Sequence, residues 1–249
     1  MFTTVSNLPW MPRPPRNSKR CPPGLEYLAV LDKLTVHQKE ELFEILVGYE
    51  TTNKYAILNS LGQGIYCAFE NSNCCSRNFF GHFRPFTMKV LDITKAEVIR
   101  IKRRLACESC LCPCYLQKVE IFAPPKKLIG SVHQTCSVIF PSFVVKNEKN
   151  VKVFRIKGPC CTYRICKDVE FKVISEDGQK EIGAISKAFS GVLKEAFTDA
   201  DHFKVSFPLD LDVKLKATLI GALVLIDYMY YENTKTLLDP FTVMHWLSL

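Results

Sequence analysis

The chain has 249 residues, of which 47% are hydrophobic, so it is long and apolar enough to form one large folded domain or two small ones. Its formal net charge of +8 is spread along the chain, which indicates an acidic partner, either a membrane surface or nucleic acid. The first segment, MFTTVSNLPWMPRPPR, lacks the charged and apolar regions of a secretory signal. We therefore expect a reducing compartment, in which disulfides are not the main role of the 12 cysteines.

Residues 1–22 are predicted to be a disordered tail, because they carry five prolines and four basic residues without an apolar period. SH3 and WW domains bind proline-rich segments of this kind and are the partners expected for the tail. The segment RPPR at residues 13–16 is, however, shorter than a full P-x-x-P set. The folded domain is expected to begin at residue 23.

The first regular element is predicted to be a helix over residues 35–46. Thr35 is a suitable N-cap, and Gly48 follows as a stop signal. Between them Val36, Leu42 and Phe43 recur near helical spacing.

The pattern then changes to β. KYAILN and IYCAFE, separated by SLGQG, predict a hairpin around a glycine turn. Further strands are predicted at short spacing in FTMKVLD, EVIRIKR, YLQKVEIFA, LIGSVHQ, SFVVKN, VKVFRIKG, DVEFKVIS and EIGAISKAF. Strands at such spacing predict an all-β barrel or sandwich.

A weak internal repeat supports a closed barrel. CCSRNFFGHFRPFTMKVLD resembles CCTYRICKDVEFKVIS, and in each a Cys-Cys pair precedes a strand by a similar distance. Two similar halves suit a barrel built by duplication.

The segment CESCLCPCYLQ (residues 107–117) holds four cysteines and directly follows a basic run. Three interpretations stay open: a zinc or redox site, a buried set of small residues, and an acyl anchor. The spacing is cramped for zinc, although cysteines 160, 161 and 166 are available to complete a site. Stable acyl anchoring needs several chains or a polybasic patch beside one chain. The cysteines concerned are Cys107, Cys110, Cys112 and Cys114, and the basic residues are Arg100, Lys102, Arg103 and Arg104.

The segment DADHFKVSFPLD (residues 199–210) has acids at its first, third and twelfth positions, as a calcium loop does. The expected ligands of a weak site are Asp199, Asp201 and Asp210. Phe203 and Lys204 stand where an EF-hand has a ligand and a glycine, and the apolar alternation of the segment equally predicts a strand between solvated acids.

Residues 213–232 are predicted to form the last helix. Its apolar stretch, residues 217–226, is followed by Asp227, and a membrane span needs about 20 apolar residues. This length favours a buried core helix over a membrane span, because a carboxylate in hydrocarbon costs about 2.5 kcal/mol or more. The positions that distinguish the two alternatives are Val213, Ile220, Leu225, Asp227 and Tyr231.

The segments CPPGLEYL, NKYAILNSLGQGIY, RPFTMKVLD, LQKVEIFAPP, KGPC, IGAISKAFSG, EAFTDADHFKVSFPLDLDVKLKA and IGALVLIDYMYYE resemble, in this order, the phospholipid scramblase family. The resemblance runs from about residue 10 to residue 232, with a shortened proline-rich N-terminus and a tail at residues 233–249. It implies a domain at residues 23–232 with a tubby-like fold: a closed twelve-stranded antiparallel barrel around a hydrophobic C-terminal helix. It also implies calcium-dependent, ATP-independent, bidirectional movement of phospholipids between leaflets.

The resemblance also implies functions for particular residues. The family carries a palmitoylated C-C-C-P-C-C motif where this chain has Cys110, Leu111, Cys112, Pro113, Cys114 and Tyr115, so two family cysteines are replaced. Ca²⁺ is assigned to residues 199–210. The last helix is assigned as a single span at the plasma membrane with the N-terminal bulk cytosolic, which the lysines before the helix agree with. An importin-binding segment corresponds to residues 183–192, with Gly183, Ile185, Ser186, Lys187 and Gly191.

Two functions from different classes follow. The first is a lipid transporter rather than an enzyme, since no histidine stands in a recognisable catalytic constellation. The alternative is a palmitoylated, tubby-like adaptor that binds anionic lipid at the cytosolic membrane face and enters the nucleus when not acylated. Nucleic acid is not expected as the primary partner, because no residue pattern for reading bases stands out.

Overall fold

The structure, a computed structural model, describes residues 9–15, 21–38, 54–71, 84–106, 116–124, 126–137, 140–159, 169–187 and 202–231. These residues form two helices and twelve strands. The helices are α1 (Glu26–Ala29) and α2 (Val213–Tyr230). The strands are β1 (Lys33–Gln38), β2 (Lys54–Leu58), β3 (Gly64–Asn71), β4 (Phe86–Leu91), β5 (Glu97–Arg103), β6 (Lys118–Phe122), β7 (Leu128–Gln134), β8 (Ser142–Asn147), β9 (Lys152–Lys157), β10 (Val169–Ser175), β11 (Glu181–Lys187) and β12 (His202–Ser206).

The twelve strands form one closed antiparallel barrel, as predicted. Each strand pairs with its neighbours in sequence, and β1 pairs with β12 to close the ring. The two halves of the internal repeat lead into β4 and β10, which are six strands apart in the ring, as duplication of a six-stranded unit requires.

The two ends of the barrel differ. At the turn end, connections of four or five residues join each even-numbered strand to the next odd-numbered strand. At the loop end, connections of seven to fifteen residues follow the odd-numbered strands. The segment before β1 and the turn from β12 into α2 both lie at the turn end. Helix α2 therefore enters the barrel at the turn end and finishes at the loop end.

Helix α2 fills the barrel. Asp212 caps it by accepting a hydrogen bond from the backbone N–H of Lys214 at 2.7 Å. All residues from 216 to 229 are buried, as expected for a helix that is apolar all round. Glycines allow close contact with the wall: a Cβ on Gly130 of β7 would lie 2.2 Å from Thr218 Oγ1, and one on Gly221 would lie 2.6 Å from Ile121 Cγ1.

This burial confirms the core-helix alternative. Ile220 and Leu225 face the inner wall with exposures of 1% and 0%; Asp227 and Tyr231 are also buried, while Val213 is half-buried at the start. The membrane-spanning alternative would place these side chains against lipid, but barrel residues already contact them. Within the described ranges, no helix has the length and apolar character needed to cross a membrane.

Two expectations are corrected. The predicted helix at residues 35–46 is wrong for its first residues, which belong to β1: Leu34 and Val36 face the core, and pairing with β2 and β12 overrides the helical spacing. Residues 39–46 lie outside the described part of the chain. The predicted disordered tail is wrong for residues 9–15, because Met11 donates its N–H to the Gly64 carbonyl at 2.9 Å, and Gly64 donates to Pro9.

Candidate functional site

A buried ionic cluster lies inside the loop end of the barrel. It consists of Tyr55 from β2, Glu70 from β3, Arg84, which precedes β4, and Asp227 and Tyr228 from α2. Arg84 donates to Glu70 through two parallel hydrogen bonds, Nε to Oε1 at 2.7 Å and Nη2 to Oε2 at 2.8 Å. Both side chains are almost completely buried. This two-bond geometry is the strong form of an arginine–carboxylate pair.

The cluster attaches the end of α2 to the barrel wall. Tyr228 donates its hydroxyl to Glu70 Oε2 at 2.7 Å, and its ring lies under the Arg84 guanidinium, 4.9 Å from centroid to Cζ. Tyr55 donates its hydroxyl to Asp227 Oδ2 at 2.5 Å. The carboxylate that interrupts the apolar run therefore lies in the barrel and accepts a hydrogen bond from its wall.

The cluster links α2 to β2 and β3, and the cost of burying charge limits its net contribution to stability. Taking charges out of water costs free energy that the attraction between them only partly offsets. Removing one partner leaves the other charge buried and uncompensated, which destabilises the folded state. The contacts of Tyr228 with Glu70 and of Tyr55 with Asp227 therefore hold the loop end of α2 against two strands.

A second buried charge lies at the turn end of α2. Lys216 is completely buried, and its Nζ donates to the carbonyls of Leu28 at 2.9 Å, Leu31 at 2.7 Å and Leu209 at 2.8 Å. Burial lowers the pKa of this ammonium, while Asp32 and Asp210 oppose that shift. Lys216 thereby joins α1, the start of β1 and the β12–α2 turn to the helix.

The predicted basic patch is only partly at the surface. Arg103 is 2% exposed and faces the interior, because it shares the inward parity of Ile99 and Ile101 along β5. Its Nε donates to Gln117 Oε1 at 2.8 Å, and its guanidinium lies 5.9 Å from the Tyr228 ring centroid. The inclusion of Arg103 in a membrane-surface patch is therefore wrong.

The other three basic residues face outward, and carboxylates contact two of them. Arg100 forms two hydrogen bonds with Glu97, at 2.5 and 2.9 Å, and Arg104 lies 3.7 Å from Glu120. Lys118 donates to Glu120 at 2.7 Å and is the main cause of the lowered Glu120 pKa, with Arg104 adding to it. Lys102 lies over the Phe122 ring. The outward positive charge at β5 is therefore smaller than the sequence indicates.

The predicted calcium segment is not one continuous loop. Residues 202–206 form β12, which confirms the strand pattern, and Asp210 lies in the exposed turn beyond its end. Asp199 and Asp201 lie outside the described residues, so calcium binding stays a prediction. Over the ranges that the structure describes, no three His, Cys, Asp or Glu residues lie together as a metal site would require.

The cysteine cluster also lies outside the described residues. The chain from β5 to β6 carries Cys107, Cys110, Cys112 and Cys114, and it leaves and rejoins the barrel at the loop end. Acylation of these residues stays a prediction. In the described part of the chain, Cys21 and Cys67 are buried thiols and Cys136 is an exposed one.

The described part of the segment assigned to importin binding, residues 183–187, belongs to β11. Ile185 is buried, Gly183 lies against the Ser206 carbonyl, where a Cβ would come within 2.0 Å, and Lys187 lies 4.3 Å from the Tyr231 ring centroid. Ser186 pairs with Lys204 of β12, and Gly191 is outside the described residues. An import receptor that binds an extended peptide would have to displace this strand.

Sequence reasoning missed most of the buried polar residues. Glu70 follows Tyr66 and Ala68 at the inward parity of β3, and a charge at that position is a usable signal of an internal partner. Lys216, beside the apolar core of a helix, is a similar signal. The pairing of Glu70 with Arg84 bridges the β3–β4 connection, and no local spacing predicts it.

Similarity to known proteins covers the whole barrel and α2. Residues 11–233 match the family model described as Scramblase. The chain is 52% identical over 232 residues to phospholipid scramblase 1 of Homo sapiens, a match that covers 92% of this chain and 72% of that protein. It is 51% identical to phospholipid scramblase 2 of Bos taurus, with 92% and 78% covered. It is 45% identical to phospholipid scramblase family member 5 of Homo sapiens, with 86% and 79% covered. No solved structure matches the chain.

Proposed function

The chain belongs to the scramblase family, and we propose that it moves phospholipids between the two leaflets of a membrane. The observation that carries the proposal is the continuous family match over residues 11–233, which includes all twelve strands and α2. We propose a transporter that makes and breaks no covalent bond, works in both directions and needs no ATP.

Reconstitution tests this proposal. The full chain is incorporated into phosphatidylcholine–phosphatidylserine vesicles that carry a fluorescent lipid in both leaflets, and an impermeant reductant bleaches the outer leaflet. With Ca²⁺ present, scrambling is expected to bring the inner-leaflet label within reach of the reductant, so that bleaching exceeds half of the total signal. Bleaching that stops at half, with a barrel that still melts cooperatively, would refute the proposal.

We further propose that Ca²⁺ switches this activity on through the carboxylates of Asp199 and Asp201. Asp210 follows β12 at the turn end, whereas residue 201 joins β12 at the other end. A strand of five residues is about 16 Å long, so we do not include Asp210 in the same site. Asp199→Asn with Asp201→Asn is expected to abolish calcium activation, and Asp210→Asn serves as the matched control. Equal loss in both variants would contradict this assignment.

We also propose acylation of Cys107, Cys110, Cys112 and Cys114 as an anchor at the cytosolic face of the plasma membrane. Replacement of the last three by alanine is expected to release the chain to the soluble or nuclear fraction of cells. Cys136→Ala, at an exposed cysteine, is the matched control. Unchanged membrane retention in the triple variant would exclude Cys110, Cys112 and Cys114 as the anchor.

A second function is favoured by one observation: the apolar side chains of α2 already contact the barrel wall. A barrel filled in this way suits a lipid-binding adaptor as well as a transporter. The adaptor would bind anionic lipid together with protein partners, namely SH3 or WW domains at the proline segment or an importin. Vesicle binding without lipid exchange in the reconstitution experiment would favour this function.

A further inference from the structure

Among the residues that the structure describes, most of the exposed large hydrophobic side chains lie at the turn end of the barrel. Eight large hydrophobic residues are exposed in the described part of the chain, and six of them lie at this end. These six are Val30, Leu61, Ile93, Leu128, Val151 and Leu209. Leu61 is 80% exposed, Leu209 59% and Val151 55%. The other two, Leu105 and Phe140, lie at the loop end.

Three of the turns that carry these residues, those of Leu61, Ile93 and Val151, pair backbone N–H groups internally. Asn59 Oδ1 accepts from the N–H groups of residues 61 and 63, at 2.9 Å each. Asp92 Oδ1 accepts from residues 94 and 96, and Asn147 Oδ1 from residues 149 and 151. Three turns thus share one arrangement. A turn whose N–H groups are internally bonded can enter an apolar layer at lower cost, because unsatisfied N–H groups are expensive there.

Exposed lysines lie between the aliphatic residues. They are Lys33, Lys95, Lys126, Lys127, Lys149, Lys152 and Lys180. None of these seven forms an ion pair with another residue that the structure describes. Their ammonium groups are therefore available to an external anion.

The acidic residues at this end are already engaged. Glu148 pairs with Lys214 at 2.9 Å, and Glu176 with Arg155 at 3.5 Å. Asp92 and Asp177 accept from turn backbone, and Asp212 caps α2. Asp32 and Asp210 act on the buried Lys216. Hydrogen bonding leaves a carboxylate negative, but the seven lysines outnumber the four exposed carboxylates that form no ion pair, Asp32, Asp177, Asp210 and Asp212. The surface is therefore aliphatic with an excess of positive charge.

We propose that the turn end is a docking surface for an anionic lipid bilayer, independent of acylation. Aliphatic tips at the level of the headgroups, with lysines around them, are the combination that binds membrane interfaces, since burial of apolar area and attraction to anionic lipid act together. The tips stand on six separate segments around one end of a barrel, which suits a flat partner. This inference rests on the proposed function and deepens it by naming a membrane-binding surface that the folded barrel itself supplies, at the end opposite to the cysteine-bearing connection.

The test uses the full chain with intact mass showing no acylation. Co-sedimentation is measured with vesicles of phosphatidylcholine alone and with 30% phosphatidylserine, at two salt concentrations. The tip variant carries Leu61→Ser, Val151→Ser and Leu209→Ser; the control carries Leu105→Ser and Phe140→Ser at the opposite end. The unmodified chain is expected to prefer phosphatidylserine, the tip variant to bind about tenfold or more weakly, and the control to bind unchanged.

A charge variant completes the design. Lys126→Gln, Lys127→Gln and Lys149→Gln together are expected to remove most of the preference for phosphatidylserine and to flatten the salt dependence. Equal binding of the tip variant and the control, or binding without preference for phosphatidylserine, would overturn the docking surface. All variants alter exposed side chains, and their melting temperatures are expected to match that of the unmodified chain.

Scrambling is measured on the same proteins, so that the transporter and the docking surface can be refuted independently of each other. If the chain binds through the turn end without exchanging lipid, the docking surface is supported and the transporter is refuted. If the chain exchanges lipid and the tip variant binds as the unmodified chain does, the transporter is supported and the docking surface is refuted.

Discussion

Lys216 is the most deeply buried cation of the described residues, and its three carbonyl partners come from two distant parts of the chain, residues 28–31 and Leu209. Because burial lowers its pKa below 10.5, the unfolded chain binds this proton more tightly than the folded chain does. Its contribution to stability therefore rises with pH between the lowered folded pKa and 10.5. Lys214, two residues earlier, makes a partly exposed ion pair and provides a matched comparison.

We predict that Lys216→Met lowers the free energy of unfolding by roughly 2–4 kcal/mol, because three carbonyls lose a charged donor. Lys214→Met is expected to cost less than about 1 kcal/mol, as for other surface ion pairs. Urea denaturation of both variants at pH 7.5 measures the difference. Similar losses in the two variants would show that the carbonyl contacts of Lys216 do not stabilise the fold.

Because of His133, the free energy of unfolding depends on pH in the mildly acidic range. Burial, followed by the charges of Lys146 and Lys118, lowers its pKa from 6.5 to about 4. The folded chain therefore binds this proton less tightly than the unfolded chain, and the associated stability is present above pH 6.5 and lost as pH falls towards 4. Its Nε2 lies 3.0 Å from Ser131 Oγ.

We predict that His133→Gln flattens the fall in unfolding free energy between pH 6.5 and 4. Glutamine keeps a group able to hydrogen-bond with Ser131 but does not titrate. Thermal or urea unfolding of both proteins at pH 7, 5.5 and 4.5 gives the slopes. Parallel curves for the two proteins would place the acid sensitivity elsewhere in the chain.

At the scale of elements, the fit of α2 against β6 and β7 depends on the absence of side chains. A Cβ on Gly130 would lie 2.2 Å from Thr218 Oγ1 and 2.9 Å from its Cγ2. Atoms do not approach so closely, so a larger residue at this position has to move the helix or the strand.

We predict that Gly130→Ala destabilises the fold by about 1–3 kcal/mol, as overpacking of a core does. Adding Thr218→Ala removes the two nearest atoms and is expected to restore part of the loss. A double-mutant cycle by urea denaturation measures this coupling. Additive losses would mean that the contact between helix and strand adjusts without cost.

The strands show what sequence patterns can and cannot predict. Alternation of apolar and polar residues predicted the hairpin of β2 and β3 and the strands up to β11, because each of these pairs with a neighbour in sequence. It failed at β1, where Val36 and the apolar residues after it have helical spacing. The strand is stabilised by β12, which lies more than 160 residues away. Likewise, alternation identifies Arg103 as inward, but nothing local pairs Glu70 with Arg84.

At the scale of the whole molecule, α2 is the core of the barrel and not an addition to it. Its residues 216–229 are all buried, and they complete the inner faces of strands from both halves of the chain. Without them the inner wall would enclose a space lined by apolar side chains, with Glu70 and Arg84 exposed at one end.

We predict that a chain ending after Asp212 fails to fold, while one ending after Glu232 folds as the full chain does. The shorter chain lacks the apolar surface that covers its inner wall, so it is expected to aggregate or to unfold without cooperativity. Circular dichroism melting and size-exclusion chromatography distinguish the two. A cooperative transition in the shorter chain near the full-length melting temperature would show that the barrel folds without α2.

The position of α2 after all twelve strands also sets the order of folding during synthesis. Every strand emerges from the ribosome before the helix that covers its inner face, and β1 waits for β12 before the ring can close. For most of translation, the nascent strands therefore expose both their apolar inner faces and the unpaired edges of an open sheet. Chains in this condition aggregate or bind chaperones. Release from that state comes only when residue 230 has emerged, so the rate of translation over the last quarter of the barrel decides how long the chain stays vulnerable.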